Sequence, residues 1–558
     1  MKKTLIINLR CFGDIMSTSN LIKNLKGNDP TQQIYILTMS EYQKITDLMK
    51  GVEKSFTIDR QQILTLSHKK IYNDSRSLNS FLMNLLPINE IYWDNIINYS
   101  NDKIGTYICS YLKSNNTTAK IFGLHYDKHK NLVSSSLWSE IFNEVLTSYK
   151  HTPFHFVDLY NNISEVAPDE NFWKIPKTLE KNDIITRRNF EQIRKHYTIN
   201  GSAPKIIGIQ LTASSIEKQI EPNEISCLIN KILDNPEIYP VILIAPNKKE
   251  KEIAEKLSKE FDNSLVIVEA DLNAIPSVIK QLDILATPDT LIKHIGDLFE
   301  TPTVEVSRGS SPFLKQGTCN PNNYILSSQF STRYSSHISE NKISSNDIYQ
   351  CILALVDNKN EKKISLSPGI SLYRSLRDDL GINYKFITGV NEIDHELSRQ
   401  ISRQYLNTLV TKEISIKLTS QILEYKTSDI KIWINSQINQ LTQCTKALLS
   451  TIRDLKQAQT NSKSGERFVH SLDRLISFAD MSLLCSIPVA LFRGRVDSFQ
   501  SPKKEEIEKL SYELKNDLQT AVKFLKCLEE SVLSIEKETL TNKYSRIVEN
   551  TITDFSRR

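Results

Sequence analysis

Apolar and polar positions keep two different rhythms along this chain. Up to about residue 350, short apolar runs alternate with stretches whose apolar residues recur every three or four positions. The runs predict strands over 4–9, 33–38, 94–98, 119–123, 205–210, 240–245, 264–268, 282–287 and 302–306. The stretches predict helices over 16–26, 41–49, 102–114, 222–233, 247–260, 273–281 and 291–299. Such alternation predicts a parallel sheet with helices on both faces, where ligands gather at the carboxyl ends of the strands. It occurs twice. Between the two sets lies a mainly helical bridge that closes on the linker Asn200-Gly201-Ser202-Ala203-Pro204. The expected class is therefore α/β, with two doubly wound domains, 1–200 and 201–360, flanking a cleft.

The rhythm changes after about 360. Lys362 to Gly369 is rich in Ser, Pro and Gly, and strand signals almost vanish beyond it. Helical periodicity predicts segments over 371–380, 388–425, 428–458, 466–492 and 502–549, an all-α extension spanning 361–558. Ile507, Leu510, Leu514, Leu518, Val522, Leu525 and Leu528 form one apolar stripe. Such a stripe serves either a bundle packed on itself or a coiled coil that binds a partner or a second copy.

Composition narrows the function classes. Apolar content of 39% and charged content of 24% are globular values. No apolar run is long enough to span a membrane. The apolar start at Leu5–Leu9 is broken by Asn8 and followed by Arg10, so it reads as a buried strand and not as a secretion signal. The eight Cys are scattered without metal-binding spacing, which suggests reduced thiols in a cytosolic setting. The net charge is +5, and its whole surplus falls in 361–558. No basic patch is interleaved with aromatic residues, so nucleic acid is not the expected partner.

Three stretches place chemistry at strand ends. In "INLRCFGDIMSTSNLIKNLK" a strand ends at Arg10, Gly13 lies in the turn, and Asp14 opens a helix. An acid there can cap the helix, and in the cleft it can also act as a general base. In "IGIQLTASSIEKQI" a strand opens into a hydroxyl-rich loop containing Ser214, followed by Lys218. Hydroxyls, backbone amides and a Lys suit a phosphate. In "LATPDTLIKHIGDLF" Asp289 and Thr290 open a helix whose free N–H groups can hold an anion, and His294 follows.

In this order and spacing the stretches resemble glycosyltransferase family 9, the lipopolysaccharide heptosyltransferases of bacteria. "LRCFGD" is similar to the family's R-x-x-G-D opening. "YWDNIINYS" with "AKIFGL" resembles its second block, and "FHFVDLYNNI" its mid-chain helix. "IGIQLTASSIEKQI" and "PDTLIKHIGDLFETPTVEV" resemble its two donor-side blocks. The resemblance covers roughly residues 1–330. It departs at Leu291, where the family has Gly, at Ile220 in place of Trp, at Asn20 in place of Pro, and at Gly296 and Asp297 after the His.

The resemblance implies a GT-B fold, two Rossmann-like domains facing a cleft. It implies inverting transfer of a heptose-like sugar from a nucleotide-sugar, usually ADP-linked, without cofactor or required metal. The acceptor would be a lipopolysaccharide-type or other surface glycan or glycolipid, reached from the cytoplasm at the inner membrane surface. Asp14 takes the position of the general base. Lys218, Asp289, Thr290, His294 and Ser214 take donor-side positions, and Glu250 one near the donor ribose. Arg10, Gly13 and Asn98 fall on the acceptor side. Two alternatives remain at this point. One is a catalytically silent scaffold whose tail binds partners or self-associates, suggested by Leu291. The other is a relative that glycosylates proteins.

Overall fold

The computed structural model describes the chain except for residues 69–72, 147–151, 169–176, 309–311, 329–341, 358–360, 362–363, 391–392, 459–461, 481–482, 501 and 556–558. It divides into two compact units. One is Met1–Ser139 with Phe154–Asn391, and the other is Glu140–Pro153 with Glu392–Arg558.

The first unit holds two α/β domains. Strands β1 (Lys3–Ile7), β2 (Gln33–Met39), β3 (Val52–Ile58), β4 (Asn95–Asn98) and β5 (Lys120–Phe122) form a parallel sheet in the order β3-β2-β1-β4-β5. A small hairpin, β6 (Leu124–Tyr126) and β7 (Leu132–Ser134), follows. Helix α1 (Phe12–Asn28) leaves β1, and α2 (Lys103–Asn115) leaves β4. Leu5, Ile7 and Ile96 pack with Ile108 and Leu112 in one core.

The second domain repeats the scheme. Its strands are β8 (Lys205–Gln210), β9 (Ile238–Ile244), β10 (Val266–Glu269), β11 (Ile284–Pro288), β12 (Thr303–Ser307) and β13 (Tyr324–Ser327). To these are added β14 (Ser371–Asp378) and β15 (Gly381–Gly389), giving the order β10-β9-β8-β11-β12-β13-β14-β15. The helices relevant to the site are α3 (Pro222–Leu233), α4 (Lys248–Glu260), α5 (Leu291–Leu298) and the short α6 (Phe313–Gln316). Strands β8, β9 and β11 read as near-continuous apolar runs because both faces of this sheet are covered. In each sheet the strand order reverses beside the first strand, between β1 and β4 and between β8 and β11. Ligand crevices form at such reversals.

Six of the described strands escape the apolar-run pattern, among them the three-residue strands of the β6–β7 hairpin. Edge strand β3 and the four-residue β13 are too polar or too short to stand out. The segment 371–380, expected to be helical, is strand β14, antiparallel to β13 and to β15. Its alternation is masked by Arg374, Arg377 and Asp378 on a half-exposed face. Gly381, at φ +104°, makes the turn, where a Cβ would lie 2.5 Å from the Asp158 carboxyl group. The Ile382 N–H donates to that carboxylate at 2.7 Å. The helical part of the chain therefore starts after Gly389 and not at 361.

In the second unit, α7 (Ile393–Thr411), α8 (Thr427–Gln457), α9 (Ser462–Ile476), α10 (Leu483–Asp497) and α11 (Lys504–Phe555) pack on one another. Of the expected stripe on α11, every residue but the half-buried Val522 is buried, and α11 lies against α8 and α10. The stripe is spent on the bundle's own core. Glu140, far earlier in the chain, belongs to this unit and binds Arg495 at 2.7 Å. Among the described residues, no helix is long and apolar enough to cross a membrane.

Candidate active site

The first sheet contributes the turn between β1 and α1. Asn8 is fully buried at the end of β1, and its amide donates to the Asp14 carbonyl at 3.1 Å and to the Thr18 hydroxyl at 2.8 Å. That fixes the start of α1. Arg10 donates through Nε to the Ser100 carbonyl at 3.0 Å, which sets its guanidinium beside the Asp14 carboxyl group. Burial pushes the Asp14 carboxyl above its ordinary value. Arg10 works against that, and Asp289 across the cleft adds to it. The Cys11 N–H also bonds the Asp14 carboxylate, so the capping role and the position in the cleft coexist.

The second sheet contributes the ends of β8 and β11. Asp289 lies at the end of β11, just before the Thr290 N-cap of α5. One of its oxygens accepts from Lys218 Nζ at 2.8 Å and the other from Lys293 Nζ at 2.6 Å. Lys218 sits on the single turn Ile216–Lys218 after β8. Its side chain remains 17% exposed, whereas that of Lys293 is wholly buried, so only Lys218 can meet a ligand. Burial by itself would raise the Asp289 carboxyl, but Lys293 and then Lys218 outweigh it and hold the group well below the carboxylate range. Lys293 is likewise opposed by burial and kept charged by Asp289 and by Glu305 at 3.6 Å.

The two halves meet at α1 and α5. A Cβ on Gly13 would lie 2.9 Å from Cδ2 of His294, so Gly13 is required for close approach to that ring and not for its own backbone angles. Burial, and then the Lys293 charge, keeps the imidazole neutral by driving its pKa well below the ordinary value. His294 is thus a packing contact between the domains beside the cleft. Gly13→Val should cost about 1–3 kcal/mol by overpacking. His294→Ala should recover most of that loss in a double-mutant cycle read by denaturant unfolding.

The other expected residues divide. The Thr290 hydroxyl donates to Gln210 Oε1 at 2.6 Å, as does that of Thr287, so Thr290 stands at the N-cap position of α5 with its hydroxyl spent on β8 and not on the helix. Ser214 is exposed in the loop before Lys218. Glu250 stands at the end of β9 but closes a capping box, accepting from the Ala245 N–H at 2.8 Å and the Asn247 amide at 2.9 Å. Asn98 is fully buried. It donates to the Leu124 carbonyl at 2.9 Å and accepts from the Asn101 N–H at 3.0 Å, holding the β4 turn from below. Leu291 is the first residue of α5 and keeps ordinary helical angles, so replacing a Gly there strains nothing in the backbone.

Several site residues carry no motif signal. Lys315 on α6 is lowered to about 8 by burial and by the neighbouring Arg10 charge. Tyr99 stacks on Tyr160, with centroids 3.4 Å apart, and its hydroxyl lies 3.1 Å from that of Ser17, one turn after Asp14. Lys293 and Glu305 were the signals to read: an Asp–Lys pair four apart at 289 and 293, and an acid inside the apolar strand β12. Among the described residues, no three His, Cys, Asp or Glu side chains are grouped to hold a metal ion.

Solved structures to which this chain is similar include a family 9 glycosyltransferase from Veillonella parvula, at 14% identity and TM-score 0.47 over 64% of this chain and 98% of that one. Another is the ADP-heptose lps heptosyltransferase II of E. coli, at 14% identity and TM-score 0.42 over the same shares. A putative UDP-N-acetylglucosamine 2-epimerase from Listeria monocytogenes aligns at 12% identity and TM-score 0.36 over 64% of this chain and 89% of that one. Among curated protein sequences, none matches this chain. The family model of glycosyltransferase family 9 (heptosyltransferase) matches residues 158–342, the part of the chain that supplies Lys218, Asp289 and His294.

Proposed function

We propose that the chain transfers a heptose-like sugar from a nucleoside-diphosphate donor, ADP-linked as in the relatives it resembles, to a hydroxyl of a surface glycan or glycolipid. Asp14 takes the acceptor proton as that oxygen attacks the anomeric carbon from the face opposite the diphosphate. The new C–O bond forms, the bond to the diphosphate oxygen breaks, and the configuration inverts. Charge growing on the departing diphosphate is met by Lys218 and by the free N–H groups at the start of α5. In this reading those groups supply the positive charge and no metal is required. The acceptor is taken at the inner membrane surface, from the cytoplasmic side.

One observation supports this reading above the others. The half-buried Asp14 carboxyl, at the turn after β1, lies near enough to Lys218, after β8, for that ammonium group to favour its charged form. This proximity supports reading Asp14 as the base and Lys218 as the anion partner of one crevice. Asp289 holds Lys218 from behind, so a donor diphosphate would meet an ammonium group already oriented.

Calorimetry with ADP, UDP, GDP and CDP tests the donor side. ADP should bind best, and Lys218→Ala should weaken it by about tenfold, the size of one lost charge-assisted bond. Thr290→Val should weaken it less, because its hydroxyl already serves Gln210. Failure of the chain to bind any of the four would overturn the donor assignment.

A further inference from the structure

The helical unit carries a groove of about 1040 Å³ between α8 and α9. Lys446 and Arg453, seven apart, lie on one face of α8, and Arg467 and Arg474, also seven apart, lie on one face of α9. All four line the same groove, opposed there by two carboxylates, those of Asp454 and Glu466. Asp454 is already engaged by Arg453 at 3.6 Å. Among the described residues, Lys446, Arg467 and Arg474 make no ion pair. Two helices that pack together thus turn rows of like charge toward each other. That arrangement costs stability unless something negative sits between them. The helices are nevertheless held together at the groove's floor, where the buried Thr451 hydroxyl donates to the Ser471 carbonyl at 3.0 Å.

We infer that this groove is an anion-binding site for a discrete polyanion bearing phosphate or carboxylate groups. The observations select that class over a bilayer surface. The cations are solvent-exposed, but they line an open groove between two helices and not a flat face. Three of the four cations are Arg, whose planar fork matches phosphate and carboxylate oxygens. The positive surplus of the chain also lies in this part of the sequence. The inference does not depend on the transfer chemistry of the first unit.

The test is calorimetric titration of the full chain with inorganic tripolyphosphate, repeated in a Lys218→Ala background so that the α/β site is not what is read. Binding is expected in both. Arg467→Gln with Arg474→Gln should weaken it by about tenfold or more and flatten its salt dependence. Arg467→Lys with Arg474→Lys should keep most of it. Lys523→Gln with Lys526→Gln, which removes the same charge from the exposed face of α11, should change little. No binding by the Lys218→Ala chain would overturn the site, as would equal loss in the two Gln pairs, which would reduce the effect to diffuse charge. Vesicles of anionic phospholipid are expected to bind no better than neutral ones. If they bind and Arg467→Gln/Arg474→Gln abolishes that, while tripolyphosphate does not bind, the ligand is a membrane surface and the discrete-polyanion assignment falls.

Discussion

Asp14→Asn is expected to lower sugar transfer by about 10²–10⁴-fold, the range of a lost general base, while nucleoside-diphosphate binding stays near that of the parent chain. The substitution is isosteric and keeps an oxygen for the Cys11 N–H, so the start of α1 should survive. The readout is single-turnover transfer beside calorimetry on the same preparation. A pH profile makes the role specific. A base must be unprotonated, and burial holds the Asp14 carboxyl above its ordinary 3.8. Transfer by the parent chain should therefore rise with pH through an apparent pKa above that value and then level off. Asp14→Asn should lack that limb. A variant that turns over at the parent rate would exclude Asp14 as the base, whatever its position.

The second large effect concerns stability. Lys293→Met should destabilise the first unit by about 3–5 kcal/mol, because it leaves Asp289 and Glu305 buried without their shared cation. Breaking such a cluster costs more than the cluster is worth, since the remaining charges keep their desolvation penalty. Glu305→Gln should be far milder. Burial raises its carboxyl to about 7, so near neutral pH it is already partly protonated, and the amide can still accept from the Thr318 N–H. Adding Glu305→Gln to Lys293→Met should recover part of the loss, an interaction that a double-mutant cycle in urea would read. The signs in pH follow from the shifts. Asp289 is depressed, so its contribution is full above the ordinary carboxylate value and drains away as pH falls toward the folded one. Glu305 is raised, so its ionisation costs stability as pH climbs through about 7. If Lys293→Met unfolds at the parent midpoint, the three groups do not act as one buried cluster.

The α/β part was legible because its strands are covered on both faces. Ile206 to Ile209 and Ile284 to Ala286 are apolar at every position except Gly208, which leaves little other reading. Among the strands that were missed, β3 and the β14–β15 hairpin have one wet face, where charged residues interrupt the run, and β6, β7 and β13 are too short to stand out. The α11 stripe was visible, but a stripe records only that something covers it. Its burial against α8 and α10 required the folded unit.

The candidate site divides along the same line. Asp14, Lys218 and Asp289 could be chosen from sequence because each follows a strand and opens a turn or helix, a position that local periodicity reveals. Their relation could not. That Lys218, 71 residues away, shares Asp289 with Lys293, that one of these lysines is sealed and the other accessible, and that Gly13 exists to admit His294 depend on which residues meet in space. The same holds for Glu250 and Asn98, suitable residue types whose hydrogen bonds are used to hold their own turns. Sequence alone determined the repeated α/β plan, the helical extension and the residue types at the strand ends, because these follow from local periodicity and chain punctuation. The tertiary structure decided which charges are buried together and which face solvent, because desolvation and pairing depend on distance in space and not along the chain.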